Sequence, residues 1–88
     1  MAPSIKLNLP LQKLAGQREK IEVTAIDVRQ CLEDLARRLP GVRQHVFNPD
    51  GSLAIMILLN NEPLPGQDLD HPVSDGDELW LLSIVTGG

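Results

Sequence analysis

The stretch Asp75-Gly76-Asp77-Glu78-Leu79-Trp80-Leu81-Leu82-Ser83-Ile84-Val85-Thr86-Gly87-Gly88 decides how the rest of this 88-residue sequence is read. Asp75-Gly76-Asp77 has the composition of a tight turn, and the run across 78–85 that of an apolar strand. Thr86-Gly87-Gly88 follows almost at once, so the tail projects directly from the folded body. A terminal Gly-Gly pair alone is weak evidence, since chain ends commonly fray. Its place after an apolar final strand is what gives it meaning.

Working outward, Ile5, Leu7 and Leu9 alternate with Lys6 and Asn8, the period of a strand with one buried face, which Pro10 ends. A polar loop containing Gly16 follows. Ile21 and Val23 then alternate with Lys20, Glu22 and Thr24, so the chain opens on a hairpin. The period changes at Val28, Leu32, Leu35 and Leu39, whose spacing gathers them on one helix face. Asp27 suits the N-cap, with Gln30 completing a capping box, and Arg37 and Arg38 suit the negative end of the helix dipole. Pro40-Gly41 stops this helix. Asn48-Pro49-Asp50-Gly51 is a turn, 53–59 an apolar strand closed by Asn60-Asn61, and Pro63, Pro65 and Gly66 break regular structure up to Leu69. That order predicts an α+β, β-grasp (ubiquitin-like) fold, a mixed sheet of four to five strands packed on one main helix. The whole of 1–88 is read as a single domain with a flexible Gly-Gly tail at 86–88.

Composition narrows the function. A chain this short buries only about 60–65% of its unfolded surface. With only Phe47 and Trp80 as aromatics, its core must be aliphatic. A formal charge of −4 argues against nucleic acid, whose binding is driven by Lys and Arg neutralising phosphates. The single cysteine fits a reducing compartment, no run is long enough to span a bilayer, and the first residues lack a secretion signal's apolar core. These features point to the cytoplasm, with no membrane partner.

The residues that could carry catalysis are scattered. Cys31, His45 and His71 are widely spaced and form no metal-ligand pair, so no metal site is expected. Cys31 lies beside Leu32 at the core-facing edge of the helix and reads as a packing thiol. Gly41, Gly51, Gly66 and Gly76 are isolated turn glycines, not a phosphate cradle. Asp68, Asp70, Asp75, Asp77 and Glu78 form an acidic group that reads first as solvated surface. Arg37, Arg38, Arg43 and His45 form a weak basic one near the helix end. An independent enzyme is not expected, nor an intrinsically bound cofactor.

The tail offers chemistry that needs no catalytic side chain. Two glycines can thread a narrow channel and let another protein approach the last carbonyl closely. A carboxylate becomes an acyl donor once adenylated, so a second protein must bind ATP and perform that step. The mixed anhydride can then accept sulfur and become a thiocarboxylate. The stretch from Asp75-Gly76-Asp77-Glu78-Leu79 through Ile84 and Val85 to Thr86-Gly87-Gly88 resembles the C-terminal signature of the MoaD/ThiS sulfur-carrier family. The element order and Leu58-Leu59-Asn60-Asn61-Glu62 also fit it. The length and the 40–51 segment look more like molybdopterin-type carriers, and those serving cysteine or specialised metabolites, than like thiamine-pathway carriers. Ser83-Ile84-Val85-Thr86 departs from the proline-containing segment often found in molybdopterin-type members.

The resemblance implies that Gly88 bears the adenylate and thiocarboxylate, with Thr86 and Gly87 supplying reach. It implies an adenylating, ubiquitin-activating-like partner that uses ATP and a sulfur donor, and a sulfur-accepting synthase. Matched to ubiquitin from the glycines backward, strand parity places Leu79, Leu81, Ile55 and Ile57 inward. Trp80, Leu82, Met56 and Leu58 then form an outward apolar face for docking those partners. Two other readings stand beside the carrier: a protein modifier forming isopeptide bonds through Gly88, and an interaction module whose glycines have no chemistry.

Overall fold

The computed structural model describes residues 2–83. Its strands are β1 (Ser4–Leu7), β2 (Lys20–Glu22), β3 (Ile55–Leu59), β4 (Glu62–Pro63) and β5 (Glu78–Ser83). Its helices are α1 (Leu9–Leu14), α2 (Val28–Arg38) and α3 (Pro40–Val46), with a 3-10 turn at Pro65–Gln67. The strands form one mixed sheet in the order β2-β1-β5-β3-β4. β5 is parallel to β1 and antiparallel to β3, while β2 and β4 are antiparallel additions at the edges. This is the predicted β-grasp architecture, an α+β fold with five strands among the described residues.

The predicted α2 forms as its periodicity requires. Val28, Leu32 and Leu35 are fully buried and Leu39 partly so. Asp27 caps the helix through its Oδ1, which accepts the Gln30 N–H at 2.8 Å. Gln30 returns the favour one residue earlier than a capping box demands: its Oε1 accepts from Ile26 N–H at 3.3 Å.

Two prolines behave differently from expectation. Pro10 does not follow a strand reaching Leu9. Instead Leu9 and Pro10 open α1, which buries Leu11, leaves Leu9 69% exposed and ends at the buried cap Ala15, so that the polar loop with Gly16 starts only after it. Pro40 ends α2 only by starting α3, after Leu39 leaves helical geometry at φ −129°, ψ 76°. Proline's fixed φ and missing N–H suit a first helical turn as well as they suit a stop. α3 buries Val42 and Val46, so three helices cover the sheet where one main helix was expected.

The turns follow their residue types. Asn60 and Asn61 both take positive φ, 51° and 70°, and close the β3–β4 hairpin in the geometry such two-residue loops require. Beyond the short β4, the Gln67 side chain continues the edge. Its Oε1 accepts from Ile57 N–H at 2.8 Å and its Nε2 donates to Ile57 O at 3.1 Å, as a further strand would. No helix among the described residues is long and apolar enough to cross a membrane.

The core is aliphatic, as the composition demands. Ile5, Leu7, Ile57, Leu79 and Leu81 of the sheet meet Val28, Cys31, Leu32 and Leu35 of α2, and all are at most 1% exposed. Each such Leu or Ile contributes about 1.5–3 kcal/mol relative to exposure. Burial, then the nearby Asp27, Asp34 and Asp77, pushes the Cys31 thiol up to about 12. It is therefore a packing group, and we expect no alkylation by iodoacetamide at pH 8 in the native protein and full labelling after urea denaturation.

Asp34 is the one acidic side chain buried in this core's margin among the described residues, at 4% exposure. It accepts from Thr24 N–H at 3.2 Å and pairs with Arg37 and with Arg38, the latter at 3.1 Å. Arg38 also donates to Glu22 O at 2.9 Å, so α2 is tied to the edge strand β2. Burial alone would raise the Asp34 carboxyl, but the Thr24 N–H and the two guanidinium groups outweigh it and hold the group below its usual range. Its stabilising effect is thus complete above the unfolded carboxylate's pKa and is lost as pH falls. Asp34→Asn should cost about 1–3 kcal/mol in urea unfolding at pH 7. The gap to wild type should close as pH drops from about 4 through the lowered pKa of Asp34.

Candidate docking face and tail root

β5 runs through the middle of the sheet, so its side chains divide cleanly between two faces. Leu79 and Leu81 point at the helices and are fully buried. Trp80 and Leu82 emerge on the opposite face, half-buried. Across the antiparallel pairing with β3, Leu58 stands opposite Trp80 and Met56 opposite Leu82. Ile55 and Ile57 take the inward positions, at 6% and 0% exposure, and Met56 is 37% exposed. The four residues predicted from parity therefore lie together on one face, with Pro63 opposite Leu58 at its margin.

The same face is polar on its other half. Lys6 of β1 is registered with Trp80 and with Lys20 of β2. Its Nζ lies 4.9 Å from the centroid of the Trp80 ring, within range of a cation–π contact. Lys20 pairs with Glu78 at 3.3 Å. Lys6 was not singled out from the sequence, because only the parallel β1–β5 register brings it to the indole.

Two polar devices hold β5 in place, one built on residues that read as simple turn formers and one on a residue that read as a polar strand position. Asp77 accepts from Ser74 N–H at 2.8 Å and from Asn60 Nδ2 at 3.1 Å. These bonds, the Ser74 one first, keep its carboxyl below the usual range. Asn60 Oδ1 in turn accepts from Glu78 N–H at 3.0 Å. The acidic turn thus clamps the start of β5 to the β3–β4 hairpin. At the other end, Asn8 Nδ2 donates to Ser83 O at 3.3 Å and Asn8 N–H to Leu81 O at 3.3 Å. Asn8 thus fixes the last described residue of β5.

The predicted tail residues Thr86, Gly87 and Gly88, together with Ile84 and Val85 of the expected strand end, lie outside the described residues. Among the described residues, no group of three or more His, Cys, Asp or Glu side chains is placed to hold a metal ion. The acidic cluster is divided by the fold. Asp70 pairs with Arg29 at 3.2 Å, Asp77 serves the turn, and Glu78 serves Lys20.

Known proteins resemble this chain over nearly its whole length. The ThiS family profile matches residues 5–88. The structure of SAMP1 from Haloferax volcanii is 31% identical, with 98% of each chain covered and a TM-score of 0.84. The Amycolatopsis orientalis BexX/CysO complex contains a chain 24% identical, covering 99% of this chain and all of that one, with a TM-score of 0.83. In the complex of subunits 1 and 2 of molybdopterin-converting factor from Helicobacter pylori the figures are 23%, full coverage of both chains and 0.65. A search of curated protein sequences finds no match. With the family profile spanning the fold, the central β5 and the signature that follows it, the chain belongs to the ThiS family of ThiS/MoaD-type ubiquitin-like sulfur carriers.

Proposed function

We propose that this protein is a non-catalytic sulfur carrier that works through the carboxylate of Gly88. An ATP-dependent adenylating enzyme binds the outer sheet face and takes up the tail. The Gly88 carboxylate attacks the α-phosphorus of ATP, expelling pyrophosphate and forming the acyl-adenylate. A sulfide equivalent from the partner's sulfur donor then displaces AMP and leaves the thiocarboxylate for a sulfur-accepting synthase. The family membership carries this reading. It is supported by a strand that leads from the hydrophobic core toward the Gly-Gly signature, beside an apolar face of Trp80, Leu82, Met56 and Leu58. The carrier needs no nucleophile of its own, which agrees with a Cys31 thiol sealed in the core. ATP and the sulfur donor are the partner's.

A second reading has a specific observation behind it. The Haloferax volcanii relative at 30% identity is described as small archaeal modifier protein 1. Modification and sulfur transfer share the same adenylate and part only when an amine, rather than sulfur, attacks it. Intact mass of the protein isolated from its own cells separates them. An oxygen-to-sulfur increase at the C-terminus is expected for the carrier, and Gly88–lysine isopeptides in digests of cellular protein would establish the modifier instead.

The face and the tail can be tested apart. Deleting Gly88 should abolish adenylation while leaving association with the enzyme; a plain binding module would lose nothing. Leu58→Asp together with Leu82→Asp should weaken that association more than tenfold, a loss above about 1.4 kcal/mol. Each side chain is half-buried on the outer face, so the double variant should still fold cooperatively by circular dichroism.

A further inference from the structure

The strand registers align Lys20, Lys6, Trp80, Leu58 and Pro63 in one row across the outer face, from β2 to β4. The row beyond it, away from the tail, holds Glu22 and Glu78, registered through Ser4. On the tail side lie Leu82 and Met56. The face therefore grades from acidic through cationic and aromatic to apolar along β5 toward Ser83.

Two groups in the middle row lack a polar partner from the chain among the described residues. Lys20 has Glu78 beside it, whereas Lys6 has the Trp80 ring and no carboxylate among the described residues. Like charges directly opposite on an antiparallel pair destabilise a sheet, so Lys6 facing Lys20 is disfavoured by folding alone. The Trp80 Nε1–H is buried without an acceptor among the described residues, and such a donor is costly to leave unpaired. The indole, the largest side chain of the face, is thus held under a solvent-exposed ammonium group that has no anion beside it among the described residues.

Resting on the reading of this face as the docking site, we propose that the adenylating partner presents a carboxylate at the edge of its apolar pocket, and that this group pairs with Lys6. Pairing draws the ammonium from the indole and frees Trp80 to enter the pocket with Leu58. The exchange is favourable because a cation–π contact gives way to a charge-assisted hydrogen bond inside an interface that excludes water. The contact is local and selective: a chain of net charge −4 repels a broadly acidic surface, so Lys6 marks the position where one carboxylate is accepted. Lys6 is then a specificity determinant of partner choice, and Trp80 the anchor it guards.

The test uses the full chain and the adenylating enzyme of the source organism, with ATP–pyrophosphate exchange titrated against the carrier at low and high salt. Lys6→Glu should raise the half-saturating carrier concentration roughly tenfold or more. Lys6→Met, which keeps the stem over the indole, should raise it a few-fold and flatten its salt dependence. Wild-type half-saturation with Lys6→Glu, or an unchanged salt dependence with Lys6→Met, overturns the proposal. Should Lys6→Glu fail to fold by circular dichroism, the Lys6→Met titration decides. Absence of exchange with the wild-type chain would overturn the carrier reading itself, and this proposal with it.

Discussion

The placement of β5 between β1 and β3 is the constraint on which the other features depend. A strand with neighbours on both edges has its backbone groups satisfied by the sheet, so its alternation of side chains is fixed on both faces. Leu79 and Leu81 complete the core against α2, and the same register obliges Trp80 and Leu82 to face outward. A slip of one residue would exchange the two sets, putting the indole among Val28, Leu32 and Leu35. The outer apolar face is therefore the other side of the core's own packing and cannot drift while the core stands.

That register is defended at both ends of β5 by short polar side chains. Asp77 and Asn60 tie the entry to the β3–β4 hairpin, and Asn8 ties the exit to the start of α1. The acidic turn that marks the family signature thus has a mechanical role in this structure. Asp34 plays a similar part on the helix side, gathering Arg37, Arg38 and the Thr24 amide so that α2 is held to the end of β2 and the residues after it. Asn8, Asp34, Asn60 and Asp77 are thus fasteners between segments distant in the sequence.

How much of this was legible in the sequence follows from which signals are local. The alternation of Ile5 with Lys6 and the helical spacing of Val28, Leu32 and Leu35 are short-range patterns, and they located the sheet, α2 and the outward face. α1 and α3 escaped because Pro10 and Pro40 read equally as ends and as beginnings, and because Leu11–Ala15 and Val42–Val46 span barely one helical turn each. The pairing of Lys6 with Trp80, and of Asp77 with Asn60, required knowing which strands lie side by side. No spacing along the chain encodes that directly. The tail was recognised from its residue types and from its place after β5.

β1 and β5 are neighbours in the sheet although they come from opposite ends of the sequence. Closing that pair brings the two ends of the fold together across a longer loop than any other strand pair among the described residues, which makes it the entropically most demanding of them. The strand that bears the face is consequently the one that cannot be assembled from a partial chain. Trp80, Leu82, Met56 and Leu58 form a unit only once β5, from the far end of the sequence, has joined β3. The central strand makes the outer face a property of the whole polypeptide and of no part of it.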